Sequence, residues 1–287
     1  MISFKKAHGE TPVGLRWWNL SALGSLAGVK LVRIQFFSSI LALAFCVTGC
    51  TTPRNTITQF CTIDALLAGA YEGEMPCRTL TRRGDMGIGT FNKLDGEMVL
   101  LDGHVYQVRS DGKVYSPDRN VTTPFASVID FRPEKSRSVP AGLTYPQFQK
   151  LVDEMLPHTN VLCAFRFNGT FRQMRTRSVP AQSKPYRQLI EVTREQAVFE
   201  LDGKSGAMVG FRMPEFVKGI NVPGFHAHFL TDDRQAGGHV LAFTTEGGTL
   251  EIATSSRMEI LLPKNPEMLG GIDFSRDRSK ELEKVEK

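Results

Sequence analysis

The chain has 287 residues and a formal charge of +5, with 41% hydrophobic and 23% charged side chains. That composition excludes a disordered or fibrous polymer and leaves enough chain for one large core or two modest ones. The basic excess would suggest a nucleic-acid or membrane-surface partner only if it sat on the folded part. Residues 1–49 instead hold five basic side chains against Glu10 alone, leaving 30 basic against 29 acidic in the remainder.

In chain order, the uncharged apolar run 34–47 follows Lys30 and Arg33 and closes on Val47-Thr48-Gly49-Cys50. A basic flank, a short apolar run and a small-residue cleavage site make a secretory signal, and the run is short of the ~20 apolar residues of a membrane span. Val-Thr-Gly-Cys resembles a bacterial lipobox. Residues 1–49 are therefore expected to be a lipoprotein-type signal segment, with Cys50 lipidated and the protein exported and anchored to the cell envelope. The alternative is a cytoplasmic protein. Residues 50–57, with Pro53, read as a tether.

Phe60, Ile63, Leu67 and Tyr71 form a helical stripe ending near Gly73. Strands are expected over 98–101, 104–108 and 113–115, separated by the hairpin signals Asp102-Gly103 and Asp111-Gly112, and over 125–131, closing at Pro133. Thr144 opens a second helix, with Pro146 in its first turn and Phe148, Leu151, Val152 and Met155 on one face. Pro157 stops it. Strands follow over 161–167, 197–201, 208–212, 225–230, 239–244, 249–253 and 258–262, and the tail from Ser275 is charged and helix-prone.

Two halves, each a helix followed by strands, predict an α+β fold of two related units, 58–140 and 141–287. A faint likeness of Asp95-Gly96-Glu97-Met98-Val99 to Gly206-Ala207-Met208-Val209-Gly210 fits a duplication. Cys61, Cys77 and Cys163 lack metal-type spacing. A Cys61–Cys77 bridge is one reading, and buried free thiols are the favoured one.

Chemistry concentrates in Gly224-Phe225-His226-Ala227-His228-Phe229-Leu230, followed by Gly237-Gly238-His239. Side chains at i and i+2 leave the same face of a strand, so His226 and His228 project together while Phe225, Ala227 and Phe229 face a core. The Asp- and Gly-rich stretch 231–238 can fold the chain back and bring His239 beside His228. Three imidazoles on one face suit zinc with an open fourth position, and nickel, copper or iron suit the same nitrogens. His104, after a hairpin turn, and His158, at a helix end, read as structural. There is no G-x-S-x-G, P-loop or Rossmann fingerprint.

With these histidines placed, Gly84-Asp85-Met86-Gly87-Ile88-Gly89-Thr90-Phe91, Leu94-Asp95-Gly96-Glu97-Met98, Arg175-Thr176-Arg177 and the stretch from Gly224 to Leu241 closely resemble bacterial α-acetolactate decarboxylases, in order over nearly the whole mature chain. The resemblance implies two α/β domains with mixed β-sheets and flanking helices, the metal site between them, and a homodimer. It also implies zinc-dependent decarboxylation of 2-acetolactate to acetoin and CO₂, through a metal-stabilised enediolate that a glutamic acid protonates. On it, His226, His228 and His239 are the metal ligands, Glu97 and Arg177 the active-site acid and arginine, and Glu286 the second glutamate, near the C-terminus.

Two rival readings use the same histidines. One is a non-catalytic H-x-H/Gly-Gly-His binding domain, some relatives of which carry DNA-binding hooks. No Arg-Gly-Arg-Pro hook is present, so no nucleic-acid partner is expected. The other is a cupin-like metal oxygenase, whose glutamate after H-x-H is replaced here by Asp232 and Asp233.

Overall fold

The first strand, β1 (Ile57–Phe60), is buried along its whole length and leads through a sharp bend at Cys61 (φ 60°) into α1 (Ile63–Leu67), whose first turn Thr62 caps by accepting from Ala65 N. The computed structural model describes residues 55–286; the signal segment, Cys50 and most of the tether lie outside them. The stripe from Phe60 to Tyr71 therefore divides: Phe60 belongs to a strand and only 63–67 are helical. Short β2 (Met75–Pro76) and α2 (Cys77–Leu80) follow. Then come β3 (Met86–Thr90), β4 (Glu97–Leu101), β5 (His104–Val108), β6 (Val114–Tyr115), β7 (Thr122–Thr123), β8 (Ala126–Ile129) and β9 (Lys135–Val139). Asp102-Gly103 is the hairpin turn expected, with positive φ at both residues.

The remaining elements are α3 (Tyr145–Met155), β10 (Leu162–Ser178), α4 (Leu189–Val192), β11 (Ala197–Met213), β12 (Gly224–Thr231), β13 (Gly237–Ser255), β14 (Met258–Leu261), α5 (Glu267–Gly270) and α6 (Ser279–Val285). Helix α3 starts at Thr144 with a capping box to Gln147, as the sequence signals require. Strands β10, β11 and β13 run 17, 17 and 19 residues, where the sequence suggests shorter pieces. The intervening glycines bend the strands without ending them: β10 and β11 resume pairing on either side of Gly203, and β13 runs through Gly247 and Gly248. Gly169 is a close approach between strands, because a Cβ there would stand 2.5 Å from the Gly247 carbonyl and 2.6 Å from the Phe167 ring.

These strands form an α+β structure of two large sheets, with β2 and β7 paired apart as a small third. One has the order β14-β1-β8-β3-β4-β5-β6 and is mixed, since β1 pairs in parallel with β14 and antiparallel with β8. The other has the order β10-β11-β12-β13-β9, and a further pairing of β10 with β13 closes four strands into a ring. Residue 140 lies between β9 and α3, and strands cross it both ways: β9 joins β13, and β14 joins β1.

Alternation along the strands sets the layers. Phe165, Phe167 and Phe171 face α3, where Phe148, Leu151 and Val152 complete an aromatic core. Ala164, Val209, Phe211 and Leu230 point the other way, against Ile88, Val99 and Ile129 of the first sheet. Helices α1, α4 and α6 meet in a third cluster through Ile63, Leu66, Leu189, Val192, Leu282 and Val285. Cys61, Cys77 and Cys163 are free and buried, and burial raises Cys77 to about 11 and Cys163 to about 12. Among the described residues no helix is long and apolar enough to cross a membrane.

Phe148 is fully buried and makes edge contacts with Phe165, Phe167 and Phe243 at centroid distances of 5.4 to 5.9 Å. Phe148→Ala is expected to destabilise the fold by about 3–5 kcal/mol, read from the shift in the urea midpoint.

Candidate metal centre

His226 and His228 project from one face of β12, and the β12–β13 register sets His239 directly opposite His228. That register is held by the intervening turn, where Thr231 Oγ1 donates to Asp233 Oδ1 and accepts from Ala236 N at 3.1 Å. A one-residue slip would carry His239 to the opposite face. The ring centroids lie 5.0 to 5.4 Å apart, and each residue offers a nitrogen within 4.8 Å of the others.

All three rings are buried. Burial, with Arg177 adding to it, lowers His226 to about 3, and burial likewise lowers His228 and His239 well below the usual range. The imidazoles are thus neutral, with lone pairs available. His228 Nδ1 lies 2.7 Å from the Met98 carbonyl, to which it donates, so its Nε2 carries the lone pair. That Nε2 and His239 Nδ1 have no hydrogen-bond partner among the described residues. Buried rings with unpartnered nitrogens, each offering a ligand atom within 4.8 Å of the others, are what a three-nitrogen site for a divalent transition metal requires, and this donor set fits one.

The carboxyl groups arrive from two distant segments. Glu97 is the first residue of β4, paired with Thr90 of β3 and Val108 of β5. Glu286 caps the end of α6. Glu97 Oε2 lies 3.5 Å from His228 Nε2, and Glu286 Oε2 lies 3.8 Å from His239 Nε2. Arg177 of β10, paired in register with His239, donates through Nη1 to Glu97 Oε1 at 2.9 Å and through Nη2 to the Val285 carbonyl at 3.2 Å. Its Nε is unpartnered among the described residues. Burial pushes Glu97 up to about 7, against the pull of Arg177 and with a further push from Glu286. Glu286 rises to about 7 for the same first reason, again against Arg177.

The structure therefore brings all six residues singled out in the sequence into one cavity, small at about 30 Å³. Its wall was not legible beforehand: Ile63, Leu66, Leu94, Phe125, Val179 and Leu189 line it, and in the sequence they are indistinguishable from core. Thr90 also lines it, and its hydroxyl donates to the Gly96 carbonyl at 2.7 Å, fixing the turn before Glu97. A larger cavity of about 490 Å³, bordered by Arg78, His104 and Arg119, does not touch these side chains, whereas one of about 410 Å³, bordered by Gln149, Lys218 and Phe225, reaches Glu286.

A family model for alpha-acetolactate decarboxylase matches residues 57–272. The chain is 41% identical over 233 residues to alpha-acetolactate decarboxylase of Methanosarcina mazei, covering 81% of each chain. It is also 41% identical to that of Klebsiella aerogenes over 217 residues, 76% of this chain and 84% of the relative. The crystal structure of alpha-acetolactate decarboxylase from Bacillus subtilis strain 168 superposes with a TM-score of 0.78 at 35% identity, covering 80% of this chain and 99% of the other. The family match ends before Glu286, which reaches the cavity through the fold of the tail.

The centre predicts that the purified protein takes up about one divalent metal ion per chain. His226→Ala is expected to lose most of it while remaining folded, as read by elemental analysis beside circular dichroism.

Proposed function

The chain belongs to the alpha-acetolactate decarboxylase family, and on that footing we propose that it converts 2-acetolactate to acetoin and carbon dioxide. The observation that carries this reading is the meeting, in one buried cavity, of three neutral imidazoles, an arginine–glutamate pair and a second carboxyl group. In the substrate the carbon that bears the carboxylate also bears a hydroxyl, and its neighbour is a ketone. His226, His228 and His239 would hold zinc or another divalent transition metal, which would supply Lewis acidity to the substrate's oxygens.

The protein's own groups account for the remaining demands. Breaking the bond to the carboxylate releases CO₂ and leaves the electron pair on the former carboxyl-bearing carbon, delocalised into the adjacent carbonyl as an enediolate. One proton returned to that carbon completes acetoin. Glu97, raised to about 7, holds such a proton near neutrality and can give it up, which is the property a general acid needs. Arg177 Nη1 fixes Glu97 Oε1, so the carboxyl group faces the reacting carbon in one orientation and protonates one face.

Arg177 also sets the charge of the cavity. Two of its N–H groups are engaged by Glu97 and Val285, and its free Nε–H is left to meet the substrate carboxylate. Glu286, next to His239, acts on the substrate hydroxyl. The apolar wall from Ile63 to Leu189 receives the two methyl groups and excludes water, which strengthens each of these electrostatic contacts.

Incubation with acetolactate is expected to yield CO₂ and acetoin in equal amounts, to stop with a strong chelator and to resume on adding zinc. Absence of acetoin from the metal-loaded protein would reject the reading. In the same assay Glu97→Gln is expected to keep its metal and lose turnover by roughly a hundredfold or more.

We also propose that the protein acts from the cell envelope, anchored by lipid through Cys50. The support is the basic flank, apolar run and Val47-Thr48-Gly49-Cys50 of the sequence. Radiolabelled palmitate should enter the protein and fail to enter Cys50→Ser; equal labelling of both, or of neither, would count against it.

A further inference from the structure

Space is the first difficulty of the metal centre. Its cavity, at about 30 Å³, has room for about two water molecules. Acetolactate is several times larger than a water molecule, so it needs space that this cavity alone lacks. The wall is also sealed: every residue that lines it is buried except Glu286, whose side chain is 15% exposed. Among the described residues, the way from solvent to the histidines therefore runs past Glu286.

A second cavity shares that residue. Its volume is about 410 Å³, within the roughly 300–1,000 Å³ usual for small-molecule sites. It is bordered by Gln149 of α3, Lys218 and Pro223 of the segment before β12, Phe225 of β12, and Ser279 and Leu282 of α6. The partition between the two spaces is thin. Phe225 borders the outer one while His226, next in the strand, borders the inner. Leu282 borders the outer one while Val285, three residues on in the same helix, borders the inner. Glu286 alone borders both.

The contact of Glu286 with the metal centre does not lock its side chain. Arg177 holds Glu97 Oε1 at 2.9 Å, whereas Glu286 Oε2 stands 3.8 Å from His239 Nε2, longer than a hydrogen bond. The backbone that carries it is the C-terminal cap of a seven-residue helix, and helix ends fray.

We propose that Glu286 is the gate of the metal centre and that the outer cavity is the vestibule through which acetolactate enters and acetoin and CO₂ leave. Turned outward, the side chain joins the two spaces and lets the substrate reach the histidines. Turned inward, it closes the cavity and stands beside the substrate hydroxyl. Acetolactate as the molecule admitted rests on the reaction proposed above; the route itself does not.

The test times metal removal from the full-length protein loaded with cobalt(II), by the loss of its visible absorption in excess dipicolinate, a small chelator that must reach the ion. Ser279→Trp, which fills the vestibule from α6, is expected to slow removal about tenfold or more, and to lower kcat/KM for acetolactate in step, at unchanged metal content. Gln149→Trp, which fills the same space from α3, should do likewise, and decides the matter if Ser279→Trp does not fold. Glu286→Ala opens the partition and should speed removal. His104→Trp, in the cavity of about 490 Å³ that shares no lining residue with either space, should change neither rate. Removal at the wild-type rate from both vestibule variants would overturn the proposal. So would equal slowing in His104→Trp, or removal from Glu286→Ala no faster than from the wild type. The expected order of removal rates in a protein that yields no acetoin would reject the reaction and uphold the route.

Discussion

A guanidinium that is 5% exposed must find its acceptors inside the protein, and Arg177 finds them in Glu97 of the first sheet and in the main chain of the C-terminal helix. It stands on the second sheet, in register with a histidine of the metal centre. Three segments far apart in the chain are thus tied through one planar group whose donors point in fixed directions. Removing one partner of a buried pair leaves the other without its hydrogen bond at a cost of about 3–5 kcal/mol, so the Arg177–Glu97 geometry is strongly held. The positions of the acid, the tail and the histidines follow from that constraint.

The environment of this pair explains how one cavity can hold groups with opposed needs. Metal ligation requires neutral imidazoles with one unprotonated nitrogen each, and proton delivery requires a carboxyl group that keeps its proton. Burial serves both, because it disfavours every charged form: it lowers the histidines and raises the glutamates. Arg177 is charged regardless, and it moderates the rise at Glu97 and Glu286. The apolar wall from α1 and α4 is therefore as much a part of the chemistry as the polar residues, since it creates the low-dielectric surroundings.

Local signals in the sequence carried much of this. Period two over residues 225–230 put His226 and His228 on one face, and the Thr231–Gly238 turn brought His239 opposite them, as observed. Thr144, Pro146 and the apolar face of α3 were likewise readable. What failed was of two kinds. Glycines that read as strand ends at 203 and 247–248 are bends in strands of 17 and 19 residues, because ladder pairing on both sides overrides a local turn preference. Long-range partners left no local trace: nothing near Glu97 foretells Arg177, and nothing in a charged tail foretells that Glu286 enters a cavity 15% exposed. Their placement there was legible only through the family resemblance.

The parallel pairing of β1 with β14 joins Ile57 to Met258, residues at opposite ends of the described chain. The order in which the protein can assemble follows from this. The first sheet contains the strand that carries Glu97, yet β1 finds its partner β14 only once the C-terminal part of the chain has been made. The early half must wait with that hydrogen-bonding edge exposed, a state in which strands from neighbouring chains compete for the vacancy. A sheet closed by pairing across nearly the whole described chain is slow to form, because the loop must close before the contacts reward it.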